Sequence, residues 1–371
     1  MEYKKLNDIA KLVGGYSFKS SNYVADGLRV IRIANVQDGY ISDDYPCFYP
    51  LSIQKELGDA NLFENDLLMS LTGNVGRVAF VNKELLPAGL NQRVECIRPF
   101  REDDKKFLFY YFQSKKFREQ AEKNSSGSAQ LNMSTVWLAN HLIPDYSHEI
   151  KLKIVNELEN LSSSIKRIDK DIACLNELVK SRFIEMFGEP IRNTKGLKTI
   201  SIKESCFVTK LAGFEYSKYI HYQDVGDVVM VKAQNVKNCQ LNEKELSYIT
   251  SEVSNSLPRS QLKPGDVVMT YVGANIGDVA IIDKKHKYHL APNVAMIRPK
   301  QECFSSRFLM YMLNMMRDYV VGNSADTAKG AIGMERIRQL VVLCPNLEEQ
   351  GCFSQFVQTI DKSKFILCIA E

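Results

Sequence analysis

Apolar and polar positions along this chain fall into two kinds of pattern. Short β-branched runs broken by Gly, Asn, Asp and Pro fill most of residues 1–145 and return in residues 191–346, which predicts strands joined by tight turns. Asp66–Thr72 and Arg77–Asn82, separated by Gly73-Asn74-Val75-Gly76, read as strand, turn, strand, and Asp266–Val272 with Gly277–Asp283 repeats that reading. One helix follows each set, roughly Lys105–Lys123 and Ser306–Val321.

The second pattern lies between them. Ile154, Leu158, Leu161, Ile165, Ile168, Ile172, Leu175 and Val179 alternate steps of four and three, a heptad seam with Lys, Asp, Glu, Arg and Ser on the other faces. No proline interrupts the stretch from about Glu149 to Phe187, and Gly188-Glu189-Pro190 supplies a stop. A helix of that length is roughly 58 Å long. A shorter apolar helix begins near Glu348-Glu349-Gln350 and carries Phe353, Phe356, Ile360, Ile366 and Ile369. The expectation is that the two helices pair antiparallel.

The order of elements repeats because the sequence repeats. Arg32-Ile33-Ala34-Asn35-Val36 returns as Lys232-Ala233-Gln234-Asn235-Val236, and the Asp66–Ala79 segment returns as Asp266–Ala280. Ile97-Arg98-Pro99 returns as Ile297-Arg298-Pro299, Phe107-Leu108 as Phe308-Leu309, Met133 as Met334 and Pro144 as Pro345. Order is kept throughout, so the chain is an internal duplication. The expected class is α+β, with two tandem mixed α/β domains joined by long coiled-coil helices about a pseudo-two-fold axis. The boundaries are residues 1–145, a spacer helix at 146–190, residues 191–346 and a second, short spacer helix at 347–371.

Composition narrows the class without deciding it. About 45% hydrophobic and 25% charged residues describe an ordinary globular chain. The nine cysteines are odd in number, scattered and without a CxxC pair, which argues for reduced thiols in a cytoplasmic protein. No apolar run is long enough to span a membrane. His286 and His289 lack partners at ligand spacing, so no metal site is expected. A net charge of +4 neither demands nor excludes nucleic acid.

Catalytic motifs are missing. Gly14-Gly15-Tyr16-Ser17-Phe18-Lys19-Ser20 has Phe18 where a phosphate loop needs its glycine before the lysine. Pro144-Asp145 with Glu149 and Lys151 has a spacing too compressed for a nuclease site. No AspProProTyr-type methyltransferase motif and no Ser/His/Asp grouping occurs, so the chain is expected not to be an enzyme.

The Asn35-Val36 and Asn235-Val236 segments, the turns Gly73-Asn74-Val75-Gly76 and Gly273-Ala274-Asn275-Ile276-Gly277, the paired IleArgPro triplets and Ala212-Gly213-Phe214-Glu215-Tyr216 together resemble the specificity subunits of type I restriction-modification systems. The tail Leu178–Pro190 of the spacer belongs to the same pattern, and the resemblance covers essentially the whole chain. It implies two target-recognition domains, each reading half of a bipartite site on double-stranded DNA. It also implies two modification subunits and restriction subunits as partners. S-adenosylmethionine, Mg2+ and ATP would be used by those partners, with none bound by this chain.

Base edges are read by Arg, Lys, Asn and Gln. The candidate DNA-binding residues are therefore Lys19, Arg32, Asn35, Gln37, Asn74, Arg77, Asn91, Gln92 and Arg93 in the first half. In the second they are Lys232, Gln234, Asn235, Tyr271, Asn275 and Asn293. Asparagines shared by both halves fit turn formation or phosphate contact better than base reading, because the halves should read different bases. The unshared Gln92 and Arg93 are the better base readers.

The seam residues, with Phe353, Phe356 and Ile360, are the candidates for subunit docking. The second helix has about 22 residues against about 39 in the first, and Gly351 lies inside it. The seam should then be covered in part by another protein, and a second copy of this chain is a further candidate. A duplicated coiled-coil interaction scaffold with no DNA role remains the alternative.

Overall fold

The computed structural model describes residues 2–127, 130–322 and 330–369. The chain divides into two compact units, Met1–Lys166 and Arg167–Glu371.

In the first unit two four-stranded sheets share one core. One sheet runs, in spatial order, Ala10–Gly14, Val94–Pro99, Leu67–Ser70 and Val78–Phe80, with all neighbours antiparallel. The other runs Phe48–Tyr49, Leu28–Ile31, Ala88–Leu90 and Asn61–Leu62, with Leu28–Ile31 and Ala88–Leu90 parallel. Val30 and Ile31 meet Leu68, Ala79, Val94 and Cys96 between the sheets. On the other face of the first sheet, Leu67, Met69, Val78 and Ile97 pack on Phe107, Leu108, Phe112 and Phe117 from the helices. A strand covered on both faces cannot alternate apolar with polar, which is why Leu67-Leu68-Met69-Ser70 is buried at every position.

The second unit has the same topology. Its sheets run Cys206–Lys210, Val294–Pro299, Val267–Thr270, Val279–Ile281 and Tyr248–Ile249, Val228–Val231, Lys287–Leu290, Gln261–Leu262. The parallel pair, Val228–Val231 with Lys287–Leu290, sits in the same place as in the first unit. The duplication read from the sequence is therefore a duplication of strand order and direction.

The repeated Asp66/Asp266 and IleArgPro motifs meet in this framework. Arg98 grips Asp66 through two hydrogen bonds, at 2.9 and 2.6 Å, and Arg298 grips Asp266 at 2.6 and 2.7 Å. Both carboxylates are buried, and each also accepts a backbone N–H, from Phe63 and Lys263.

Two expectations about helices need correction. The helix expected over Lys105–Lys123 is two helices, Asp104–Gln113 and Lys115–Lys123. Ser114 turns extended between them, and its hydroxyl caps the second by accepting from the Phe117 amide. The stretch Ser306–Val321 likewise divides into Ser306–Met315 and Arg317–Gly322.

The spacer is one helix, His148–Phe187, and the last helix is Leu347–Ile369. Within the second unit Val179, Phe183 and Phe187 enter one cluster with Phe353, Val357 and Ile360, with Leu175 and Phe356 packed against it. The phenyl rings of Phe183 and Phe353 lie 5.4 Å apart. Of the remaining seam residues, Ile154, Leu158, Ile168 and Ile172 are half-buried, whereas Leu161 and Ile165 are 60% and 44% exposed.

Candidate nucleic-acid interface

Strand register decides which loops share an end of each unit. In the first unit Gly14 stands opposite Glu95, Ser70 opposite Val94, and Ile31 alongside Leu90. The loops that follow Gly14, Ile31, Ser70 and Leu90 therefore rise from one end of the two sheets. Backbone bonds tie them together. The Tyr16 amide donates to the Leu90 carbonyl at 2.7 Å, and the Gln92 amide to the Tyr16 carbonyl at 3.1 Å. The Asn91 amide donates to Ile31 at 3.1 Å and the Leu71 amide to Arg93 at 3.1 Å. Gly15 is required at this crossing, since a Cβ there would lie 2.1 Å from the Asn91 carbonyl oxygen.

This end gathers residues scattered from Gly15 to Arg93 in the sequence. Asn74, Gln92 and Arg93 are exposed, Asn91 is half-buried, and none of their side chains makes a hydrogen bond or ion pair among the described residues. Arg77 and Gln37 form a fixed pair instead: the Arg77 guanidinium donates to Gln37 Oε1 at 2.7 Å, while Gln37 Nε2 donates to the Ala34 carbonyl at 2.8 Å.

The structure places four of the candidates away from a free position at this end. Asn35 is buried, its Oδ1 accepting the Arg32 amide at 2.9 Å and its Nδ2 donating to the Ser42 carbonyl at 3.0 Å. Asn235 is buried likewise, bonded to the Lys232 amide at 3.1 Å and the Asn242 carbonyl at 2.9 Å. Both asparagines are buried and close a loop, which turns their amides inward rather than towards a base. Lys19 leaves the shared end, because its backbone is held by the Tyr49 hydroxyl and Tyr49 stands opposite Leu28, at the far end of that strand. Arg32 turns back on the fold and donates to the Tyr45 carbonyl at 2.8 Å.

The second unit builds the same end. Lys210, Val231, Thr270 and Leu290 lead out of it, and the Tyr271 amide donates to the Asn293 carbonyl at 2.9 Å. Asn275 and Asn293 have side chains with no described partner, and Asn293 takes a left-handed φ of 72°. Lys232 is engaged by the Ser247 hydroxyl at 2.9 Å, and Gln234 by Glu245 at 3.2 Å.

Sequence reasoning missed two contributors. The segment around Asn132 adds a further strip to the first end: the Gly73 amide donates to Leu131 and the Met133 amide to Leu71, both at 2.8 Å. Thr72 donates to Asn132 Oδ1 at 3.1 Å. In the second unit the Lys210 ammonium lies 5.2 Å from the centroid of the Tyr271 ring. The Ser/Gly/Gln composition of residues 125–130 marked a polar loop, but nothing local connected it to Leu71. Among the described residues no group of His, Cys, Asp and Glu could hold a metal ion, and no helix is long and apolar enough to cross a membrane.

Two copies of one α+β unit, each presenting amide and cationic side chains at the same sheet end, define a duplicated recognition protein. A family model for the type I restriction modification DNA specificity domain matches residues 1–173 and again 195–367, and the chain belongs to that family. It is 23% identical to the specificity subunit of the type I restriction enzyme EcoBI of Escherichia coli, over 93% of this chain and 76% of that one. The fold is that of the type I restriction-modification S subunit of M. genitalium, with a TM-score of 0.54 at 12% identity over 100% of this chain and 91% of that one. A chain from a structure concerned with complex assembly and conformational transition of the type I system matches with a TM-score of 0.51 at 16% identity, over 100% and 93% of the two chains.

Family membership decides between the two readings the sequence left open. The chain is a DNA sequence-specificity subunit, and its role is recognition rather than catalysis.

Proposed function

We propose that each unit reads one half of a bipartite site on double-stranded DNA with the sheet end described above, and that the spacer helices dock two modification subunits, to which restriction subunits add. The observation that carries the reading is the recurrence, in both units, of one loop-bearing end that presents, among the described residues, amide side chains and a cation free of hydrogen-bond and ion-pair partners, the groups suited to base edges and phosphates. In the first unit Gln92, Arg93 and Asn74 are the base-reading candidates; in the second they are Asn275 and Asn293. The exposed middle of the seam, Leu161 and Ile165, supports burial by a modification subunit. S-adenosylmethionine, Mg2+ and ATP are used by the partners, and the complex works in the cytoplasm.

The modular reading is tested by replacing residues 1–145 with the corresponding domain of a relative and sequencing the methylated bases of the host. One half of the methylated motif should change, while the other half and the gap stay. A change in both halves overturns it.

A further inference from the structure

The two shared ends differ in where their positive charge sits. Arg93 and Asn293 occupy equivalent places, each accepting through its carbonyl from the residue after the central strand, Leu71 or Tyr271. The second unit therefore lacks the unpaired guanidinium that the first unit presents there. Among the described residues, Lys232 at this end is engaged by Ser247. Arg77 of the first unit is matched by Asp278, which pairs with Arg317 at 2.9 Å.

Lys210 makes up the difference. It is the last residue of Cys206–Lys210 and stands opposite Ala295, as Gly14 stands opposite Glu95 in the first unit. Where Gly14 has no side chain, Lys210 is exposed and makes no ion pair among the described residues. Its ammonium rests over the ring of Tyr271, the residue whose amide is bonded to Asn293. The first unit has Leu71 in place of that ring. An aromatic face holds an ammonium by its quadrupole without neutralising it, so the charge stays available to an anion.

We propose that Lys210, steadied by Tyr271, is a DNA-phosphate contact of the second unit, and that it supplies at this end the positive charge that Arg93 supplies in the first. The inference rests on the shared sheet ends being the DNA surface. Lysine acts as a compact point charge and suits a phosphate oxygen better than a bidentate base edge.

The test uses the full chain assembled with its modification subunits and a duplex carrying the motif methylated in the host. Affinity is followed by fluorescence anisotropy over a salt series. Lys210→Ala should lower the slope of log affinity against log salt by about one, with the methylated sequence unchanged. Adding Asn293→Arg to Lys210→Ala should restore the slope. Arg93→Ala runs in parallel as the first unit's control. A reduced slope for Arg93→Ala with none for Lys210→Ala overturns the Lys210 assignment alone. Unchanged slopes in both, in assembled complexes, overturn the reading of these ends as the DNA surface. A degenerate base in the methylated motif of Lys210→Ala overturns the phosphate role.

Discussion

Glu95 offers the sharpest test of how the first unit is packed. It lies on Val94–Pro99 between Gly14 and Met69, on the face that carries Ile97 into the helix-covered core. It is 4% exposed, and burial alone pushes its carboxyl up to about 7 from 4.5. The second unit has Ala295 at the same place. Because the folded carboxyl holds its proton more tightly than the unfolded one, its contribution is neutral below pH 4.5 and becomes destabilising as pH rises towards 7. A rise from 4.5 to about 7 corresponds to about 3 kcal/mol lost at high pH. About 2 kcal/mol of this falls between pH 5.5 and 8.5. Glu95→Gln keeps the shape and removes the titration. Urea unfolding of the first unit, followed by circular dichroism at pH 5.5, 7 and 8.5, should show the wild-type protein losing stability relative to Glu95→Gln as pH rises. Parallel pH profiles for the two proteins would mean that the carboxylate is solvated, and the packing argument would fail.

The duplicated ion pairs and the aromatic joint give two further expectations. Arg98→Met leaves Asp66 buried and charged without its partner and should cost about 3–5 kcal/mol, and the double variant Asp66→Leu/Arg98→Met should recover most of it; urea midpoints of both decide this. Phe183→Ala opens a hole beside Phe187, Phe308 and Phe353 and should cost about 3–5 kcal/mol. Amide exchange should then rise in Leu347–Ile369 while Ala10–Gly14 and its neighbours keep their protection.

Much of this protein was legible in its sequence because its signals are local or periodic. The duplication fixed two like units, and the repeated strand–turn–strand segments became the antiparallel pairs Leu67–Ser70 with Val78–Phe80 and Val267–Thr270 with Val279–Ile281. The heptad seam and the Gly188-Glu189-Pro190 stop placed the spacer helix to within a residue of His148–Phe187. Helical period and strand period repeat over a few residues, so a linear reading can find them.

What tertiary structure alone decided is which polar side chains face outward. Asn35 and Asn74 look alike in sequence, yet one is buried in loop hydrogen bonds and the other is exposed without a partner. Asp66 and Arg98 are both repeated, but only the sheet, which sets their strands side by side, makes them a pair. Lys210 lies sixty-one positions before Tyr271 and meets it because two strands flank a third. Cross-strand neighbours are set by register and sheet order, and these are determined by the whole buried core, since a one-residue slip would turn every side chain to the opposite face.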